Sequence, residues 1–128
     1  MNILDFEQAL VKELSAIPGL TGKVYPGQAS EKIIPYIVYL SSAGLKDKDL
    51  DGYKDSRRVP FELNIVATRY SDMKQYTELA IDKIISFERR VIGADGPFIR
   101  ELTYEPPAEL FEDAVKAFRS VIDVVVYF

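Results

Sequence analysis

Ala117-Phe118-Arg119-Ser120-Val121-Ile122-Asp123-Val124-Val125-Val126-Tyr127 is the stretch that decides the fold. β-Branched and aromatic residues fill it without Pro or Gly, the composition of a strand. Side chains alternate across a strand, so Phe118, Ser120, Ile122, Val124 and Val126 share one face. Ala117, Arg119, Val121, Asp123, Val125 and Tyr127 share the other. Both faces are largely apolar, and one layer of helices can cover only one of them. The second face therefore either packs on another subunit, the favoured reading because large exposed apolar patches mark association sites, or stays partly exposed on the monomer. Asp123 interrupts that face and needs a cation, either Arg119 two pairs away or an arginine of a neighbouring subunit.

Working outward, Val59 to Tyr70 carries the complementary pattern: Phe61, Leu63, Ile65 and Ala67 alternate with Glu62, Asn64, Val66 and Thr68, a strand with one buried face. Pro35 to Ser42 is another strand that opens on a proline, and Lys23 to Pro26 is a short one. Phe98 to Tyr104 reads as a further strand, and Glu109 to Ala114 as a connection after Pro106-Pro107. Two helices are predicted. Asp5 to Ala16 places Phe6, Leu10, Leu14 and Ile17 on one stripe, with Asp5 as cap and Pro18-Gly19 as stop. Met73 to Arg89 follows a Ser71 cap. Gly27 to Lys32 and the polar run Lys46 to Arg58 read as loops. The result is an α+β fold, mainly an antiparallel β-sheet of four to five strands with two helices packed on one face, formed by residues 1–128 as a single domain.

Composition narrows the chemistry. The 128 residues include 16 Lys+Arg and 20 Asp+Glu, a net charge of −4, with no Cys and no His. Disulfides, thiolate nucleophiles, imidazole bases and the metal sites built on those ligands are excluded. An acidic total argues against non-specific nucleic-acid binding, since Arg57-Arg58 and Arg89-Arg90 are isolated basic pairs, and no specific nucleic-acid partner is expected. No apolar run is long enough to span a membrane, and the acidic N-terminal stretch reads as neither signal nor transit peptide. Neither G-x-x-x-x-G-K-[ST] nor G-x-G-x-x-G occurs, so no phosphate cradle is expected. No cofactor and no enzymatic activity are anticipated.

One motif resembles a calcium loop: Asp47, Asp49 and Asp51 precede Gly52. The twelfth position, where a bidentate Glu must stand, is Arg58. A mobile acidic loop is the expectation. The acids Glu101, Glu105, Glu109, Glu112 and Asp113 are expected on a solvated edge, with no convergence on a pocket.

The chain resembles the tail terminator (tail completion, minor tail) proteins of long-tailed phages and prophages. The resemblance rests on the N-terminal helix leading to Val24-Tyr25-Pro26, on Pro35-Tyr36-Ile37-Val38-Tyr39, and on a variable polar loop. It continues through the alternating strand Phe61 to Ala67, the helix opening at Ser71-Asp72, and the closing Phe118-Arg119-Ser120-Val121-Ile122-Asp123-Val124 strand. It implies a structural protein that assembles as a homo-oligomeric, hexameric ring on the tail tube protein, stops tube polymerisation and presents a surface to head-tail connector proteins. The implied location is the virion tail, after assembly in the host cytoplasm. Lys46, Asp47, Lys48, Asp49, Asp51, Tyr53 and Lys54 then become candidates for partner docking. Arg57, Arg58, Arg119, Asp123, Val125 and Tyr127 become candidates for the subunit interface. A ring needs heterologous patches that close on rotation, and free strand edges suit that need. The competing readings are a head-tail connector adaptor and a small ligand-binding α+β domain.

Overall fold

A computed structural model describes residues 1–28 and 33–128. The expected loop over Gly27 to Lys32 lies mostly outside them. Helix α1 (Ile3–Ser15) is capped by Asn2, whose side chain accepts from the Leu4 N–H at 2.7 Å while Asp5 accepts from the Asn2 N–H at 3.0 Å. This is a reciprocal capping box. Asp5 is thus the third helical residue and not the cap expected from sequence. Helix α2 (Tyr70–Ile85) starts three residues before the predicted Met73, on Arg69, without a side-chain cap bond. Arg69 instead pairs with Asp72 at 3.1 Å, placing a carboxylate in the first turn where the helix dipole favours it.

Strands β1 (Val24–Pro26), β2 (Tyr36–Ser41), β3 (Leu45–Asp49) and β4 (Gly52–Ala67) precede α2; β5 (Arg90–Val91), β6 (Phe98–Ile99), β7 (Glu101–Tyr104), β8 (Ala108–Glu112) and β9 (Ala117–Tyr127) come after it. The main sheet has seven strands, more than the four to five expected, in the order β1-β2-β4-β9-β7, with β3 paired to β4 and β8 to β9. Every pairing in it is antiparallel except β1 with β2. The predicted strand Phe98 to Tyr104 splits in two, because Phe98–Ile99 pairs with β5 in a separate ribbon while Glu101–Tyr104 joins β9. The segment expected as a connection, Glu109 to Ala114, contains most of β8.

Both helices lie on one face of the sheet. Phe6, Ala9, Leu10 and Leu14 of α1 and Ala80 and Ile84 of α2 meet Val59, Phe61, Leu63 and Ile65 of β4 and Ile122, Val124 and Val126 of β9 in one core. The registers align these residues across the strands: Leu63 faces Tyr39 and Ile122, and Phe61 faces Val124. Phe6 stacks on Phe128 at 5.2 Å between ring centroids and tilts against Phe61 at 5.4 Å.

Strand β4 changes partner along its length. Its first half pairs with β3 and its second half with β2, on the same side, and the switch falls near Pro60. Proline has no N–H to donate, and it sits at the change of partner, where only its carbonyl is used, by the Ser42 N–H at 3.1 Å. At the same crossing Gly44 has φ 81°, and a Cβ there would collide with the Arg58 carbonyl oxygen. Only glycine fits.

Glu13 ties α1 to the turn after α2. Its oxygens accept from Arg90 at 2.8 and 2.9 Å and from the Gly93 N–H at 2.7 Å. The Arg90 hydrogen bonds, joined by the Gly93 N–H and the nearby positive charge, hold the Glu13 carboxyl below the usual carboxylate range despite partial burial. A carboxylate with a depressed folded-state pKa contributes stability above its unfolded value of about 4.3, and that contribution is lost as pH falls through the folded pKa. Glu13→Gln should therefore unfold more readily at pH 7, by about 1.5–3 kcal/mol. The gap to the parent chain should narrow in urea titrations run at progressively lower pH.

Candidate functional site

The segment singled out by its aspartates is a β-hairpin, not the mobile loop expected from its composition. β3 and the first half of β4 run antiparallel and turn at Leu50-Asp51, with Asp49 opposite Gly52. The Asp51 N–H is held by Asp49 Oδ1 at 2.8 Å, and Gly52 takes φ 113° to bring the chain back into the ladder. Cross-strand pairs do the work that apolar alternation does elsewhere: Lys54 bonds Asp49 at 2.7 Å, and the Lys48 ammonium lies 4.9 Å from the Tyr53 ring centre.

The same contacts separate the aspartates. Asp47 pairs with Arg100 at 3.2 Å, and Asp49 pairs within the hairpin. Among the described residues no group of three acids gathers as a metal would require. The tip is open to solvent and sets apolar surface beside Asp51, with Leu50 fully exposed and Tyr53 69% exposed.

The second face of the sheet is covered at one end and open at the other. Tyr36, Val38, Val66 and Ala117 are buried there, with Tyr25 and Ile34 packed against them. The other end carries an open depression of about 480 Å³ whose walls include Leu40, Ser41, Pro60, Glu62, Asp123 and Val125. Leu40 is half-exposed, Val125 and Tyr127 are partly exposed, and Arg58 and Asp123 are exposed. The apolar surplus foreseen from β9 is therefore real but confined to half of the face.

Arg119 is not the partner of Asp123. Its guanidinium pairs with Glu112 of β8 and donates to Asn64 Oδ1 at 3.1 Å. The cause is register, since β8 lies alongside the first half of β9 and brings Glu112 across from Ala117. Asp123 faces Glu62 instead, and like charges directly opposite each other on a sheet repel. No salt bridge forms to either acid among the described residues.

The adjacent arginines of the predicted interface differ sharply. Arg57 is buried: it donates to the Ala43 carbonyl at 3.2 Å and the Met1 carbonyl at 2.9 Å, and it lies over the Phe128 ring. It closes the fold of its own chain. Arg58, on the open face opposite Tyr127, is exposed. The acids of the C-terminal third are spread along an edge: Lys74 holds Glu109 at 2.6 Å, and the Leu102 N–H donates to Glu88 at 3.1 Å. Among the described residues no three of them gather as a metal would require.

Sequence reasoning missed β8. Its Leu110 and Phe111 are each nearly half-exposed, and Phe111 touches Phe118 edge-on at 4.9 Å. The signal was the apolar pair inside Ala-Glu-Leu-Phe-Glu, too short to show alternation. Among the described residues no helix is long and apolar enough to cross a membrane.

No protein-family model matches the chain, and no curated protein does. Among solved structures, a chain of the "Virion of native gene transfer agent (GTA) particle" has a TM-score of 0.61 at 14% identity, covering 94% of this chain and 92% of that one. The two chains share a fold over nearly their whole lengths.

The contrast between the two arginines is measurable. Arg57→Ala should lower the stability to urea by about 1–3 kcal/mol, since it removes a buried guanidinium that bonds two backbone carbonyls and packs on the Phe128 ring. Arg58→Ala should remain within about 0.5 kcal/mol of the parent.

Proposed function

We propose that this chain is a structural protein of a phage or phage-like particle and, within that class, the tail terminator. As a ring of its own copies, six by the family pattern, it caps the tail tube protein, halts tube growth and offers a surface to head-tail connector proteins. Its place is the virion tail, after assembly in the host cytoplasm. It needs no cofactor for this role, which consists of specific surfaces and not of chemistry.

The observation that carries this reading is the fold held in common, nearly end to end, with a chain of a gene transfer agent virion. Two features of the surface support it. The open half of the second face joins apolar Leu40, Val125 and Tyr127 to the acids Glu62 and Asp123, to which no salt bridge forms among the described residues, a combination suited to a partner that brings both apolar area and a cation. The hairpin carries Leu50 and Tyr53 well away from the core, where they can reach a tube or connector. Its cross-strand pairs order it in advance, so docking carries a smaller entropic cost than a disordered loop would incur.

Sedimentation across a concentration series tests the ring: a discrete closed oligomer is expected, and a strictly monomeric species at every concentration would refute it. The tip is tested separately. Leu50→Asp should leave stability within about 0.5 kcal/mol of the parent, because the side chain projects into solvent. The same variant should fail to co-sediment with tail tubes, and normal attachment would remove the tip from the docking role.

A further inference from the structure

β3 and β8 are both five-residue strands, and each is paired on one side only. Among the described residues nothing pairs with the outer side of either, so both present unused backbone donors and acceptors. β8 has no Lys, no Pro and no bulge along its pairing with β9, so of the devices that protect an edge it keeps only the charges of Glu109 and Glu112, which admit a strand that carries lysines. β3 meets an irregularity between Lys46 and Lys48, but the extra residues belong to β4, so the outer side of β3 is unbroken.

Resting on the proposed ring, we infer that β3 of one copy adds to β8 of the next, so that neighbouring sheets become continuous. Strand direction supports this. β3 is antiparallel to β4, β4 to β9 and β9 to β8, so β3 runs opposite to β8 within one chain. Copies that keep their helices on the same side of the sheet therefore present β3 to β8 in the antiparallel sense, the better-bonded of the two arrangements. The two edges lie on opposite sides of the sheet, and a contact between different surfaces propagates from copy to copy, as a ring requires.

Charge chooses this pairing over the alternatives. Full antiparallel overlap sets Leu45 opposite Glu112, Lys46 opposite Phe111, Asp47 opposite Leu110, Lys48 opposite Glu109 and Asp49 opposite Ala108. No like charges meet. Pairing β3 with another β3 would set Lys46 against Lys48 twice, and pairing β8 with another β8 would crowd four glutamates into one ladder. A second copy's β3 is the occupant that fits.

The absence of cysteine makes the test clean. Lys48→Cys and Glu109→Cys each introduce one thiol, on exposed positions of the two edges. The two variants, one carrying a size tag, are mixed while dilute, concentrated to where the parent sediments as an oligomer, and treated with a short bis-maleimide. The mixed pair is expected as the main product, and the doubly substituted chain alone should give a ladder beyond the dimer. Same-variant pairs as the main product would overturn the inference in favour of a two-fold contact. If the parent sediments as a ring and no mixed pair forms, the ring is joined elsewhere and only this inference fails. If the parent is monomeric throughout, both fail.

Discussion

The ladder between β4 and β9 is the constraint on which the rest of the molecule depends. Ten residue pairs run from Arg58 opposite Tyr127 to Ala67 opposite Phe118. Because the side-chain period is two, that single register places Val59, Phe61, Leu63 and Ile65 beside Val126, Val124, Ile122 and Ser120 under the helices. A slip of one residue would turn the core face outward and bring Glu62 and Asn64 in. β2 and β7 extend the ladder on either side, and α1 and α2 have an apolar surface to cover only because of it. The same register sets Glu62 against Asp123 on the far face.

Much of this was legible in the residues. The closing strand has the limits that its composition indicates, and the alternation from Phe61 to Ala67 identifies the buried face without help. What escaped was order built from charge. Lys-Asp-Lys-Asp has no apolar period, so β3 reads as solvent-exposed loop until the opposing Tyr53 and Lys54 are in place. Asp51-Gly52 was a hairpin signal, yet with Asp47 and Asp49 before it the same dipeptide also matches a cation loop. Arg58 at the twelfth position already speaks against the cation loop, and the partners Arg100 and Lys54 show where Asp47 and Asp49 are engaged instead.

Arg57 and Asp123 illustrate a second limit. Both are charged residues within strands, and both were natural candidates for a contact between subunits. Arg57 is consumed within its chain by two carbonyls and a ring face, whereas Asp123 faces another acid. The difference is set by which backbone ends come together in three dimensions, information that no local pattern contains. Burial also distinguishes Arg57 from Arg58 although they are adjacent in sequence, because neighbouring residues of a strand point to opposite faces.

The hairpin stands on a root that tolerates almost no change and ends in a tip that tolerates a great deal. At Gly44 a single methyl group would strike the backbone of Arg58, while at Leu50 any side chain projects into water. Divergence of the chain toward new assembly partners is thereby channelled outward: the arm can exchange its fingertip while its angle of attachment stays fixed.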